Sequence, residues 1–136
     1  MPTVADHATS AAPPEDVWKL LYDPSRFPEW WPGMQRVELG ADEGDFTFWY
    51  EEWPDVAMPQ KLVTQRGGAR VTISCLVSFM DIRWELSEEG DGTRIDVTAA
   101  IPEAEAARSE RVRGWLAQSV RQLAAVAATD APPARG

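Results

Sequence analysis

The hydrophobic pattern of this chain changes its period once, close to Pro102. Before that point apolar and polar side chains alternate, most clearly over residues 70–79 and 94–101, and a period of two is typical of strands with one buried face. After it, apolar residues recur at steps of three and four as far as Ala128, which predicts a long helix. Because a sheet with one apolar face needs a cover, we expect this helix to lie across the sheet.

The segment in front of the alternating region predicts one strand and two short helices. Residues 3–10 alternate loosely, and Pro13 and Pro14 end that strand and begin the first helix. Asp23 is suited to cap a second helix that has Pro24 in its first turn. The predicted fold is therefore α+β, with a bent antiparallel sheet of about seven strands, two short helices after the first strand and a long C-terminal helix. A curved sheet closed by one helix leaves a hollow, so we expect a ligand cavity there.

Composition limits the classes of function that the chain can perform. Its 136 residues suit one domain, and a formal net charge of −9 makes nucleic acid and anionic membrane surfaces poor partners. One cysteine, Cys75, and one histidine, His7, exclude an intrachain disulfide and supply too few ligands for a cysteine or histidine metal site. We expect no metal and no cofactor, since the sequence contains no phosphate-binding glycine loop and no haem motif.

Targeting and membrane signals are absent from the sequence. The first residues carry no basic cluster followed by an apolar stretch, and no run of about 18 apolar residues occurs. We therefore expect a cytoplasmic protein that does not insert into membranes.

Strand parity and the helical stripe predict which side chains face the cavity. The first strand favours open space, because it turns the small or polar side chains of Asp6, Ala8 and Ser10 inward. The alternative is that the wall residues fill one another's space and leave no cavity. The expected ligand-binding wall is made by Phe48, Val71, Ile73, Cys75, Val77, Trp84, Val97 and Ala99 on the sheet and by Trp115, Leu116 and Ser119 on the helix.

Residues 46–53 form an unusually aromatic predicted strand. Parity places Phe46, Phe48, Tyr50 and Glu52 on one face, and Thr47, Trp49, Glu51 and Trp53 on the other. Because both faces are aromatic, one row is a candidate pocket rim or partner surface, including the surface of a homodimer. Ordinary cross-strand packing is the alternative. A carboxylate among aromatic rings, Glu51 or Glu52, is a candidate general acid or base, and a solvated edge charge is the alternative.

Trp30 and Trp31 lie at the end of the second short helix. We expect them to anchor the short helices onto the sheet, and the alternative is that one of them gates the mouth of the cavity. Strand parity points His7 away from the cavity, so we expect it at the surface.

Three segments carry a resemblance to a known family. They are residues 12–21 (APPEDVWKLL), residues 23–32 (DPSRFPEWWP), and the hairpin that joins residues 82–86 (IRWEL) to residues 92–97 (GTRIDV). The sequence resembles the SRPBCC superfamily, which includes START-type lipid-transfer domains, birch-pollen-allergen-type proteins and bacterial polyketide cyclase/dehydrases. With the C-terminal helix, the resemblance implies one domain over residues 1–128 and a flexible tail over residues 129–136.

The resemblance also implies a fold and a class of ligand. Members have a helix-grip fold with an apolar tunnel, and they bind lipids, sterols, polyketides or other small apolar molecules. Bacterial aromatase/cyclases act on a polyketide held by a carrier protein, which makes an acyl carrier protein a candidate partner. Arg66 falls near the place of an arginine that such enzymes use. If this chain is a cyclase/aromatase or a dehydratase, Arg66, Tyr50 and Glu52 are the expected catalytic residues, which stabilise enolate charge or transfer protons.

Two other functions remain open at the level of the sequence. The scarcity of catalytic residue types favours a carrier of lipids or small molecules that performs no chemistry. Exposed aromatic residues and the negative charge would instead suit a module that binds other proteins, similar to the co-chaperones that share this fold.

Overall fold

Seven antiparallel strands form one sheet in the order β1-β7-β6-β5-β4-β3-β2. The computed structural model describes residues 2–65, 67 and 69–130. Its strands are β1 (Thr3–Ser10), β2 (Met34–Leu39), β3 (Asp45–Tyr50), β4 (Met58–Gln65), β5 (Arg70–Cys75), β6 (Asp81–Glu89) and β7 (Gly92–Ala100). Its helices are α1 (Pro14–Tyr22), a first 3-10 helix (Pro24–Glu29), a second 3-10 helix (Glu103–Arg108) and α2 (Ser109–Asp130). The α+β helix-grip architecture expected from the sequence is confirmed.

Local signals in the sequence explain where the first helices begin. Pro14 occupies the first turn of α1, where a missing N–H costs nothing. The Asp23 carboxylate accepts a hydrogen bond from the backbone N–H of Ser25 at 3.1 Å, and this cap begins the first 3-10 helix. The predicted role of Asp23 is thus confirmed.

The C-terminal half of α2 is fixed to the β1–β7 end of the sheet. The Ser10 hydroxyl, buried at the end of β1, donates a hydrogen bond to the carbonyl oxygen of Ala124 at 2.7 Å. The Thr93 hydroxyl on β7 donates to the carbonyl oxygen of Ala12 at 2.7 Å, which holds the chain that leads into α1. Buried polar groups with partners of this kind fix a geometry, because a shift would leave them unpaired in the core.

A closed core fills the space beneath α1 and the C-terminal half of α2. Trp84 of β6 and Trp30 are both fully buried, and their rings meet edge to face with centroids 5.2 Å apart. The Trp30 indole N–H donates to the carbonyl oxygen of Leu20 at 3.1 Å, so Trp30 anchors the short helices as expected. The side chains predicted for a cavity wall that are instead fully buried here are Val71, Ile73, Trp84, Val97, Ala99, Leu116 and Ser119.

The aromatic strand β3 is shorter than the sequence predicts. It ends at Tyr50. The backbone N–H of Glu51 donates a hydrogen bond to the carbonyl oxygen of Gly33, and a turn follows in which the backbone N–H of Trp53 donates to the carbonyl oxygen of Tyr50. The inward parity of the row that includes Phe46 and Phe48 is confirmed, and both rings are buried. Both edges of β3 are paired, with β2 and with β4, so this strand has no free edge to offer a partner chain.

The strand predicted through residue 79 ends at Cys75 instead. Residues 76–79 form a turn, closed by a hydrogen bond from Phe79 N–H to the carbonyl oxygen of Cys75 at 2.9 Å. Val77 is consequently 55% exposed, so its predicted position on the cavity wall is wrong. The apolar alternation continues through the turn in the sequence, which is why periodicity alone places Val77 on the inner face.

Two chain segments differ from the predicted boundaries. The register pairs Gln65 with Arg70, so β4 ends at Gln65 and β5 begins at Arg70; residues 66 and 68 between them lie outside the described part of the chain. The predicted tail begins at residue 129, but α2 continues to Asp130. Residues 131–136 of that tail lie outside the described part of the chain.

Candidate binding pocket

A pocket of ≈ 410 Å³ lies next to the closed core, and Trp31 in its wall packs against Trp30 of the core with ring centroids 5.7 Å apart. Its walls come from the chain after the first 3-10 helix, from β3 and β4, from the β5–β6 connection and from the start of α2. The apolar part of its floor is formed by Met58, Met80, Ile82 and Val112. This volume is in the range of small-molecule sites, about 300–1,000 Å³. The cavity expected between sheet and helix is therefore present, but it occupies only the N-terminal end of α2.

Five aromatic side chains form a continuous wall of the pocket, which we call the aromatic wall: Trp115, Trp31, Phe48, Tyr50 and Trp53. Successive ring centroids along this wall are 5.0, 5.1, 4.9 and 6.0 Å apart. The same four pairs meet at interplanar angles of 57°, 52°, 87° and 78°. Neighbouring rings are thus steeply inclined to one another. Trp31 and Phe48 are almost fully buried within this wall, whereas Tyr50, Trp53 and Trp115 are partly exposed.

Tyr50 supplies a neutral hydroxyl to the aromatic wall. Its oxygen accepts a hydrogen bond from the Trp31 indole N–H at 3.3 Å. Burial raises the pKa of the Tyr50 phenol, and this effect outweighs the opposing hydrogen bond from Trp31 and the charge of Arg108. Tyr50 therefore keeps its proton at neutral pH. Among the described residues no acceptor takes that proton, so it remains available to a ligand carbonyl or hydroxyl oxygen.

Cys75 lines the opposite side of the pocket, where β5 ends. Burial raises the pKa of its thiol, but hydrogen bonds from the Ser78 side chain, from the backbone N–H groups of Ser78 and Val77, and from the Gln60 side chain outweigh burial and lower the pKa below its ordinary value. The Ser78 N–H lies 3.5 Å from Cys75 Sγ. The turn over residues 76–79 thus places hydrogen-bond donors next to the Cys75 sulfur.

The shifted pKa predicts how Cys75 reacts with a small alkylating reagent such as monobromobimane. Since the thiolate is the nucleophile, we expect the alkylation rate to rise with pH with a midpoint below that of free cysteine. Ser78→Ala should move this midpoint upward, because it removes the hydroxyl that stabilises the thiolate. Thr72→Ala, on the outer face of β5, is the control and should leave it in place. A wild-type midpoint above that of free cysteine would contradict this assignment.

Charged side chains lie on two opposite sides of the pocket opening. Glu51 and Glu52 follow β3, and both are exposed. Arg108 ends the second 3-10 helix, where it pairs with Glu105 at 3.2 Å, and Arg111 lies in the first turn of α2. The exposure of Glu52 agrees with the alternative of a solvated edge charge.

The structure brings together only part of the predicted site. Phe48, Tyr50, Glu52, Cys75 and Trp115 line the pocket. Arg66 lies outside the described residues, so its predicted role remains a prediction. The seven predicted wall residues of the closed core do not line this pocket. His7 is exposed on β1, as its parity predicts.

Several pocket residues have only a weak signal in the sequence. Trp31 lies in the pocket wall, which agrees with the alternative that one of the paired tryptophans is at the mouth, while Trp30 is an anchor. Gln60 is buried although β4 reads as a polar strand around it, and a buried amide beside a cavity is a sign of polar recognition. Trp53 and Ser78 lie in turns, where strand parity does not apply.

Among the described residues, no group of histidine, cysteine, aspartate or glutamate side chains is arranged to hold a metal ion. None of the described helices is long and apolar enough to cross a lipid bilayer.

The fold is similar to that of several solved structures. XoxI from Bacillus cereus matches with a TM-score of 0.77 at 12% sequence identity, over 93% of this chain and 95% of that protein. Protein CV1439 from Chromobacterium violaceum matches with a TM-score of 0.73 at 21% identity, over 96% of this chain and 100% of that protein. DynU16, a protein of the dynemicin biosynthetic locus, matches with a TM-score of 0.69 at 18% identity, over 96% of this chain and 48% of DynU16. At these identities the likeness establishes a shared fold.

No curated protein matches this sequence. A family model described as polyketide cyclase / dehydrase and lipid transport matches residues 1–128, which include all seven strands and all but the last residues of α2. The match therefore spans every element that lines the pocket, and it agrees with the resemblance carried by the short helices and the β6–β7 hairpin. This chain belongs to the polyketide cyclase/dehydrase and lipid transport family of the SRPBCC superfamily.

Proposed function

We propose that this protein binds one small, largely apolar molecule in the pocket between the aromatic wall and the start of α2. The observation that carries the proposal is the wall of five aromatic rings around a space of ≈ 410 Å³. Side chains that only packed against each other would close such a space, as Trp30 and Trp84 do in the adjoining closed core. An apolar ligand that fills an open aromatic pocket removes apolar surface from water, and this stabilises the complex.

The polar groups of the pocket favour a ligand that carries an oxygen acceptor. The Tyr50 O–H and the Trp115 indole N–H are donors without a partner among the described residues, and the Gln60 side chain lines the same pocket from strand β4. A ligand carbonyl or hydroxyl that accepts from Tyr50 would be oriented as well as bound. A single hydrogen bond of this kind contributes about 0.5–1.5 kcal/mol.

Exposed apolar side chains around the mouth also support an apolar ligand. Trp53 and Val56 lie on the loop after β3, and Leu76, Val77 and Phe79 lie on the turn after β5. Both segments border the pocket through Trp53 and Ser78. Exposed apolar side chains beside the opening give an apolar molecule a surface to contact before it enters the pocket.

The neutral Tyr50 hydroxyl favours one second candidate, catalysis of a cyclase or dehydratase type on a polyketide-like substrate. A phenol that keeps its proton can donate to a carbonyl oxygen as an enolate develops, and the pocket would hold a flexible chain in a folded shape. Tyr50→Phe separates the two candidates. It lowers only affinity in a carrier, whereas in an enzyme it also lowers kcat for a substrate that still binds.

The proposal is tested by the occupancy of the pocket. We expect native mass spectrometry of freshly purified protein to show a co-purified small molecule, or the emptied protein to bind the neutral apolar dye Nile red in a saturable manner with one site. Because Cys75 is the single cysteine of the chain and lines the pocket, saturating dye should slow its alkylation by monobromobimane. An empty protein whose alkylation rate is the same with and without dye would contradict the proposal.

A further inference from the structure

The charged groups at the pocket differ in whether they already have partners. Glu51 and Glu52 make no ion pair with any described residue, whereas Arg108 is paired with Glu105 at 3.2 Å. The Glu51 backbone N–H is bound to the carbonyl oxygen of Gly33 at 2.8 Å, which fixes the start of this acidic pair beside the aromatic wall. The β3 side of the opening therefore carries two carboxylates that can take up a cation.

The aromatic wall has the same preference for positive charge. The face of an aromatic ring carries partial negative charge and attracts an ammonium group within about 6 Å of its centre, while it repels an anion. Tyr50 and Trp53 are the rings next to the acidic pair, and they meet at 78° with centroids 6.0 Å apart. Both rings and both glutamates line the pocket and are consecutive in the chain, and this combination is suited to a substituted ammonium group. The net charge of −9 adds a long-range attraction for the same sign of ligand.

The basic side of the opening opposes this preference in part. Arg108 pairs with Glu105 at 3.2 Å, which offsets some of its charge, although that charge still acts to lower the pKa of the Tyr50 phenol. Arg111 is the cation without an ion pair among the described residues that border the pocket. Arg111 is exposed, so solvent screens its charge. Its position on the α2 side would direct a positive head group towards β3 and away from the helix.

We infer that the ligand is an organic cation, an alkylammonium or arylammonium ion whose head group lies in the corner formed by Tyr50, Trp53, Glu51 and Glu52 and whose apolar part fills the rest of the pocket. This inference rests on the proposed function and names the class of its ligand. An oxygen elsewhere on the same molecule would accept the hydrogen bond that the Tyr50 O–H donates.

Three probes with one tail and different head groups test the inference: octyltrimethylammonium, 1-octanol and octanoate, each measured below its aggregation concentration by displacement of Nile red. We expect the cation to bind at least about fivefold more tightly than octanol, and octanoate to bind most weakly, since one exposed cation–π contact with partly screened charge pairing gives about 1 kcal/mol. A preference for octanoate or octanol would overturn the inference and leave the proposed function standing. Failure of all three probes and of Nile red to bind would overturn both.

Paired variants separate a local corner from the general negative charge of the protein. Glu51→Gln with Glu52→Gln should lower the preference for the cation over octanol by at least about threefold. Glu88→Gln with Glu89→Gln changes the net charge equally at the far end of β6, and it should leave the preference intact. Arg111→Gln should slightly raise the preference for the cation over octanol. If the pocket were instead a site for anions, this variant would bind octanoate more weakly than the wild type does. Equal losses in the two glutamate pairs would overturn the inference.

Discussion

Replacing Trp84 with alanine is expected to lower the free energy of unfolding by about 3–5 kcal/mol, because a large buried ring would leave a cavity that the core cannot fill. Trp84 is fully buried on β6 and lies edge to face against Trp30, which in turn holds α1 through the Leu20 carbonyl oxygen. Domains of this kind have a total stability of about 5–15 kcal/mol, so the loss is a large part of the whole. Urea denaturation followed by far-ultraviolet circular dichroism measures it.

Two further tryptophan variants control this prediction. Trp84→Phe keeps most of the ring volume and should cost about 1–2 kcal/mol, so it remains informative if Trp84→Ala does not fold. Trp49→Ala removes a ring from the outer face of β3, where Arg36 covers it at 3.7 Å, and should cost less than about 2 kcal/mol. Equal losses at Trp84 and Trp49 would show that the closed core is not where most of the stability resides.

Filling the pocket should abolish binding without loss of stability. Ser78→Trp places a large ring in the space beside Cys75, and we expect the affinity for Nile red to fall by at least about tenfold, which corresponds to about 1.4 kcal/mol. The backbone N–H of residue 78 that points at the Cys75 sulfur is retained in this variant. Dye titration monitored by fluorescence measures the affinity.

Ser74→Trp is the matched control, since residue 74 lies in β5 one position before Cys75 and its side chain points to the other face of the sheet. It should leave the affinity for Nile red within about twofold of the wild type. If both tryptophan variants bind the dye as well as the wild type does, the dye occupies a surface patch and the pocket is not its site.

The fold could be predicted from the sequence wherever periodicity extends over a whole element. Ile95, Val97 and Ala99 alternate along β7 and are all fully buried, while the helical stripe that includes Leu116 and Leu123 marks the buried face of α2. Such patterns have one physical cause, the burial of one face, and they identify it reliably. They do not reveal whether that face meets another side chain or an open space. For this reason seven residues that lie in the closed core were predicted to line a cavity.

The pocket was harder to predict because its walls are made where regular structure ends. Trp53 follows the last residue of β3, and Ser78 lies in the turn after β5. In such segments side-chain direction depends on individual hydrogen bonds, such as Glu51 N–H to Gly33 O, and no repeat in the sequence reports them. Val77 is an error of the opposite kind. The apolar pattern of β5 continues by chance through the turn that follows, so an exposed turn residue was predicted to face the cavity.

The most direct test of the pocket is to observe the indole N–H signals of the seven tryptophans by nuclear magnetic resonance during a titration with Nile red or with the co-purified ligand. We expect the signals of Trp31, Trp53 and Trp115 to shift on binding, because these rings line the pocket, and those of Trp30 and Trp84 in the closed core to stay in place. Shifts confined to Trp30 and Trp84, or no shift at any indole with ligand bound, would contradict it.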